Sequence, residues 1–257
     1  MIRFYKYHGT GNDFILIDDR NKIHSFKTEE IKKICDRHFG IGADGLIQLR
    51  SKRGFDFDML YFNADGLPGS MCGNGGRCVT AFAHTLGIID KHVHFNAFDG
   101  SHNAEILSVK PYNIRLHMMD VMKIENNTSF IFLDTGSPHY CCFVNNVSEI
   151  DVEAEGQKIR YNDRFRKDGV NVNFIEQKGN ELFVRTYERG VEAETLSCGT
   201  GVTASVIAAS YAKKISGSSC LVATPGGKLR VDYKMEGEYY NEIWLEGHAE
   251  LVFQGEI

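Results

Sequence analysis

The chain has 257 residues, 42% of them hydrophobic and 25% charged, with a net charge of −5. That length suits one large or two smaller globular domains, and that charge offers no general attraction to nucleic acid or to an anionic membrane. No basic run carries interleaved aromatics, and no stretch reaches the length of a membrane span.

Met1–Asp19 reads as strand and turn, without the charged start and apolar middle of a signal peptide. With an odd number of cysteines, seven, the expectation is free thiols in a reducing cytoplasm. Cys141 and Cys142 are adjacent, and Cys72 and Cys78 are spaced too widely for the usual ligand pairs, so no metal is expected.

In chain order, Arg3–Tyr7, Phe14–Asp18, Leu46–Leu49, Phe57–Phe62, Ile114–His117, Phe130–Leu133, Leu182–Thr186, Leu229–Asp232 and Ile243–Glu246 read as strands bounded by Gly, Asn or Asp. A helix is predicted over Thr28–His38, with Thr28 as its N-cap and Ile31, Ile34 and Cys35 at helical spacing. Two further helices, Gly76–Leu86 and Gly201–Lys213, are apolar around most of their circumference. Such helices are buried on nearly every side, as a curled sheet would bury them. Gly40-Ile-Gly-Ala-Asp-Gly45 matches a dinucleotide fingerprint by letters only, because it follows a helix and precedes a strand. It is read as a turn, as is Pro225-Gly-Gly-Lys228.

The two apolar helices share a lead-in, Cys72-Gly-Asn-Gly-Gly-Arg77 and Cys198-Gly-Thr-Gly201, placed about half a chain apart. The fold class expected is α+β. It has two pseudo-symmetric halves, each a curved mixed or antiparallel sheet wrapped around a central buried helix, with the active site in the cleft between them. The halves are expected over 1–117 and 118–248, and the strand at 249–257 closes back on the first.

A Cys-Gly-x-Gly turn opening a helix lets the backbone approach a ligand. Its first-turn N–H groups and the helix dipole favour a carboxylate and lower the pKa of the thiol. One such cysteine alone is more often structural than catalytic. Two in matched turns suit inversion of a stereocentre, where one group removes a proton from one face and the other delivers one to the opposite face. His139, Glu188, Arg189, Asn12, Asn63 and Asn171, each taken alone, would be ordinary loop, strand-end or turn residues.

Taken together the segments resemble diaminopimelate epimerases along nearly the whole chain. The resemblance is carried by His8-Gly-Thr-Gly-Asn-Asp-Phe14, Arg37-His-Phe-Gly-Ile-Gly-Ala-Asp44, Phe62-Asn-Ala-Asp-Gly66, the two cysteine turns, Gly136-Ser-Pro-His139 and Tyr187-Glu-Arg-Gly190. It implies conversion of L,L-diaminopimelate to the meso form in lysine and peptidoglycan-precursor synthesis, without a cofactor, by a homodimer. It implies Cys72 and Cys198 as acid and base, His139 assisting Cys72, and Glu188 assisting Cys198. Gly73, Asn74, Gly199 and Thr200 would hold a carboxylate, and Asn12, Asn63, Asn171, Glu188 and Arg189 the two ends of the substrate. The sequence departs from the common pattern at Ser137, at Gly45 (left out of the site for that reason) and in the longer stretch Val191–Thr195.

Three alternatives stay open. A proline-racemase-like enzyme also uses two cysteines, but would leave Arg189 and several asparagines without a partner. A Cys–His thiol hydrolase would leave the second cysteine turn unexplained. A binding module would have no turnover to lose.

Overall fold

The structure is a computed structural model that describes residues 1–69 and 71–257. The chain forms two compact units, Met1–Leu116 with Gly247–Ile257, and His117–Glu246. The class is α+β, with four helices and sixteen strands among the described residues.

The first unit contains β1 (Arg3–Gly9), β2 (Asn12–Asp18), α1 (Thr28–Cys35), β3 (Gly45–Arg50), β4 (Phe57–Asn63), α2 (Gly73–Thr85), β5 (His92–Ala97), β6 (Gly100–Val109) and β7 (Tyr112–His117). The second contains β8 (Ile124–Asn126), β9 (Ile131–Asp134), β10 (Pro138–Phe143), α3 (Val152–Arg160), β11 (Asn171–Lys178), β12 (Glu181–Glu188), β13 (Ala193–Thr195), α4 (Gly199–Tyr211), β14 (Ser219–Thr224), β15 (Gly227–Glu236) and the start of β16 (Tyr239–Glu256).

The two units repeat one pairing scheme. From β1 to β7, neighbouring strands pair antiparallel, parallel, antiparallel, parallel, antiparallel and antiparallel. Along β9, β10, β11, β12, β14, β15 and β16 the order is the same. In each unit a short helix joins the second strand to the third, and a buried helix joins the fourth to the fifth. Each parallel pair needs such a crossover, which is why the helices fall where they do. The end of β16 pairs antiparallel with β1, with Arg3 opposite Glu256 and Tyr7 opposite Leu251.

Each sheet packs on two layers. Ile15, Ile17 and Leu46 face α1 through Ile31 and Cys35, while Val172, Phe174 and Tyr187 form the matching core with Val152 of α3. The other face of each sheet meets the buried helix. In α2, Cys78, Val79, Ala81, Phe82 and Ala83 are fully buried, as are Val202, Ala204, Val206, Ile207, Ala208 and Ala209 in α4. Covering on both faces explains the unbroken apolar run Phe14–Ile17 in β2, all of it buried. Small residues let the strands approach: a side chain at Gly75 would stand 3.2 Å from Ile47 and Met59 and 3.5 Å from Phe14.

Helix boundaries differ from those read in the sequence. Both buried helices start three or two residues earlier, because the glycines of the cysteine turns lie inside the first turn. Poor helix propensity hides this in the sequence, and burial overrides it. The first i→i−4 bonds run from Gly76 N–H to the Cys72 carbonyl (2.7 Å) and from Val202 N–H to that of Cys198 (2.9 Å). The N-cap of α1 is Lys27 and not Thr28, and the Glu30 carboxylate accepts the Lys27 N–H (2.7 Å). That helix ends at Cys35, before the expected His38. Asp36 is extended there, and its carboxylate accepts the N–H groups of His38 and Phe39, both at 2.7 Å.

No helix among the described residues is long and apolar enough to cross a membrane.

Phe82 packs its ring against Tyr5 and Tyr7, with centroids 4.9 and 6.1 Å away. Phe82→Ala should therefore cost about 3–5 kcal/mol of stability through cavity formation. Equilibrium denaturation of the variant against the parent protein measures it.

Candidate active site

Cys72 and Cys198 occupy the same structural position in the two units, each the extended N-cap residue of a buried helix. Neither side chain caps its own helix by a hydrogen bond. The first-turn N–H groups and the positive end of the dipole therefore act next to each thiol.

In the first unit, Cys72 is half-buried and donates through Sγ to Asn12 Oδ1 (3.4 Å). Asn74 Nδ2 donates to the same oxygen (3.2 Å). The Asn12 amide is oriented from behind, because its Nδ2 donates to Asp44 Oδ2 (2.7 Å). Asp44 is held by Arg37 (2.7 Å), which also pairs with Asp13 (2.8 Å), and Lys6 reaches Asp13 at 2.7 Å. Burial opposes ionisation of Asp13, but hydrogen bonds from Arg37 and Lys6 outweigh it and hold its pKa down at about 2. Gly73 and Asn74 form the first turn of α2, both buried. Asn63, at the end of β4, is exposed, and its Oδ1 stands 3.2 Å from where a side chain at Gly69 would begin. At Gly45, a side chain would meet the Phe62 carbonyl and the Tyr61 ring, both at 2.5 Å. Any larger residue there requires both the ring and the β4 backbone to move.

Arg77 received no role from the sequence beyond its place in the turn. It is fully buried one turn into α2, and among the described residues its guanidinium donates to neutral oxygens: Asn74 Oδ1 (2.8 Å), Thr10 Oγ1 (3.2 Å) and the Gly73 carbonyl (3.3 Å). Thr10 and Gly11 turn back over it with positive φ (50° and 84°). This buried cation, with no carboxylate beside it among the described residues, adds to the positive field of the helix end.

In the second unit, Cys198 is buried and lies 3.4 Å from the Thr200 hydroxyl. Thr135 Oγ1 donates to the Thr200 carbonyl (2.9 Å), tying β9 to the first turn of α4. Gly201 must be glycine, because a Cβ there would lie 2.4 Å from Asn173 Oδ1 and 3.3 Å from Cys198 Sγ. His139, on β10, is fully buried, with Asn173 Nδ2 3.1 Å from its Nδ1. Burial, with Arg189 nearby, pushes its pKa down to about 3. Glu188 accepts from Thr195 Oγ1 (2.9 Å). Asn171 braces two segments: its Oδ1 accepts the Arg189 N–H (2.8 Å), and its Nδ2 donates to the Pro138 carbonyl (3.4 Å). The exposed Arg189 side chain donates to the Asp168 carbonyl (3.0 Å), and Gly169 leaves room for it.

Thus Asn12, Cys72, Gly73 and Asn74 fall together in the first unit. Cys198, Gly199, Thr200, His139, Asn171, Glu188 and Arg189 fall in the second. Sequence reasoning missed Asn173, two residues beyond Asn171 on the same strand face, where the period of two could have shown it. It also left Asp44 and Arg37 without a role, although both stand in a segment it had singled out.

The other five thiols lie within helices or strands and not at a helix N-cap. Burial pushes Cys35 and Cys220 up to about 11 and Cys142 up to about 12, and raises Cys78 and Cys141 as well. Only a thiolate alkylates readily.

The sequence model of the diaminopimelate epimerase family matches residues 4–123 and 131–252. A diaminopimelate epimerase of Flavobacterium psychrophilum is 47% identical over the whole of both chains. That of Chlorobaculum tepidum is 43% identical over 97% of this chain and 98% of its own. Among solved structures, a PhzF-family phenazine biosynthesis protein from Bacillus anthracis superposes with a TM-score of 0.73 at 15% identity, covering 100% of this chain and 98% of that one. A hydroxyproline epimerase from Agrobacterium vitis, with bound trans-4-hydroxy-L-proline, gives 0.72 at 15% identity, covering 99% and 91%. At such identity these two establish the fold alone.

Two outcomes are expected. Mild alkylation near neutral pH, read by peptide mapping, should label Cys72 and Cys198 before the other five cysteines. Asp13, with its folded pKa lowered from 3.8 to about 2, should contribute stability above its unfolded pKa and lose it as pH falls through the folded one. Asp13→Asn should therefore destabilise at neutral pH and narrow the difference in acid, as denaturation at both pH values would show.

Proposed function

The chain belongs to the diaminopimelate epimerase family, and we propose that it converts L,L-diaminopimelate to the meso isomer with Cys72 and Cys198 as base and acid. The observation that carries this reading is the matched placement of the two thiols, each the N-cap of a buried helix in equivalent positions of a repeated fold. Family membership makes the protein an isomerase. The two-thiol chemistry and the residue roles are the proposal.

In one direction a thiolate removes the proton from one Cα, leaving its electron pair on that carbon. The partner thiol delivers its own proton to the opposite face and becomes the thiolate. The Cα–H bond broken is replaced by one of inverted configuration, and the cysteines end with roles exchanged. The difficult species is the carbanion, since an amino-acid Cα–H is weakly acidic. N–H groups at Gly73, Asn74, Gly199 and Thr200 would hold the adjacent carboxylate and carry part of the developing charge. Buried Arg77 adds a fixed positive charge beside the first turn. No cofactor is needed as an electron sink in this reading. His139 assists Cys72, Glu188 assists Cys198, and Asn12, Asn63, Asn171 and Arg189 bind the two ends of a substrate that carries a second amino-acid group. The reaction serves lysine and peptidoglycan-precursor synthesis in the cytoplasm, with the enzyme as a homodimer.

Reduced protein incubated with L,L-diaminopimelate in D₂O should give meso product carrying deuterium, with little label in unreacted L,L substrate at early times. Cys72→Ala and Cys198→Ala should each lower turnover by at least ~10³-fold while keeping the fold, by circular dichroism. Near-normal turnover in either variant removes that cysteine from the mechanism. Turnover of proline or hydroxyproline, with none of diaminopimelate, would replace the substrate assignment.

A further inference from the structure

We propose that Asn173 is a positioning residue that fixes His139 as the neutral Nε2–H tautomer, so that His139 serves the reaction as a hydrogen-bond donor to an anion and not as a base. This deepens the reading of His139 given above and rests on it for the reaction, though not for the tautomer.

The orientation of the Asn173 amide follows from its neighbours. Its Oδ1 accepts from Thr186 Oγ1 (3.0 Å), and its Nδ2 donates to the Tyr140 carbonyl (3.2 Å). A backbone carbonyl only accepts, so the reversed amide would set two oxygens against each other. Nδ2 therefore points at the β10 side, where its remaining hydrogen meets His139 Nδ1 (3.1 Å), with Cys141 Sγ more distant (3.7 Å). A ring nitrogen that accepts from an amide N–H carries no hydrogen of its own. The proton of the neutral imidazole must then sit on Nε2.

Nε2 is buried and has no hydrogen-bond partner among the described residues. Buried donors are almost always satisfied, so an orphan here points to an acceptor supplied during function. That acceptor is anionic in this reaction, either a thiolate or the substrate carboxylate.

A second proton on the ring is opposed from several sides. Asn173 already presents an N–H to Nδ1, the ring is fully buried, and the Arg189 cation acts on it. The thiols around Asn173 are that of Cys141, on the same strand as His139, and that of Cys198, which lies against Gly201 as Asn173 does. Gly201 lies against Asn173 Oδ1, where a Cβ would stand 2.4 Å away, so only glycine leaves that oxygen its place.

The test is ¹⁵N-histidine NMR of the full chain, with His139 assigned by the signal missing in His139→Gln. The parent protein should show the neutral Nε2–H pattern without titration from about pH 5 to about pH 9, although a free imidazole titrates near 6.5. Asn173→Asp keeps the shape and offers Nδ1 an acceptor. It should move the proton to Nδ1 or charge the ring, bring His139 titration above about pH 6, and lower kcat by ~10²-fold with a smaller change in KM. If the acceptor is the substrate carboxylate, the Nε2–H resonance moves when L,L-diaminopimelate is added. If it is a thiolate, the resonance moves on thiol titration in the free enzyme. An Nδ1–H or titrating His139 in the parent protein overturns the proposal whatever the variant does. Absence of meso product with the Nε2–H tautomer in place would instead count against the epimerase reading.

Discussion

A helix that is apolar around most of its circumference has to be enclosed, and both α2 and α4 are enclosed along nearly their full length. Most of the architecture follows from that constraint. A sheet that covers such a helix needs parallel pairs on either side of the crossover, which brings the repeated order of antiparallel and parallel pairings. Enclosure also removes the water that would screen the helix end. The first-turn N–H groups then act at close range on whatever occupies the N-cap, and in both units that residue is a cysteine.

The two thiols are supported by different polar frameworks. Around Cys72 the framework is ionic and reaches the surface: Asp44, Arg37, Asp13 and Lys6 are joined in series, and Asn12 hangs from Asp44. The outer pair, Arg37 with Asp44, is exposed and adds little stability, whereas Lys6 with Asp13 is nearly buried. Their consequence is orientation, since they decide which end of the Asn12 amide faces the thiol. Around Cys198 the framework is neutral and buried, built from Thr135, Asn173 and Thr186. All three side chains are buried, so each amide and hydroxyl must find its partners within the protein.

Charge follows the same division. Arg77 is buried inside the first unit against neutral oxygens, while Arg189 lies exposed in the second and is anchored through the Asp168 carbonyl and Asn171. One cation belongs to the permanent field beside a thiol. The other is placed where a soluble ligand can reach it.

What the sequence determined by itself is what depends on local pattern. Nine strands, the existence of both buried helices and the turn at Gly40–Gly45 were legible in apolar runs bounded by glycine, asparagine and aspartate. The two cysteine turns were legible because a Cys-Gly-x-Gly lead-in before an apolar helix is rare enough to be noticed twice. Tertiary structure decided what depends on partners distant in sequence. The helices begin inside the glycine turns because burial outweighs glycine's poor propensity. Asn12 faces Cys72 because Asp44, brought beside it where β2 and β3 pair in parallel, accepts its amide. Asn171, expected at a ligand, also braces two backbone segments, and Asn173 became visible only through the ring it touches on the neighbouring strand. A hydrogen bond depends on the direction of both partners, and one-dimensional spacing carries no record of direction across strands.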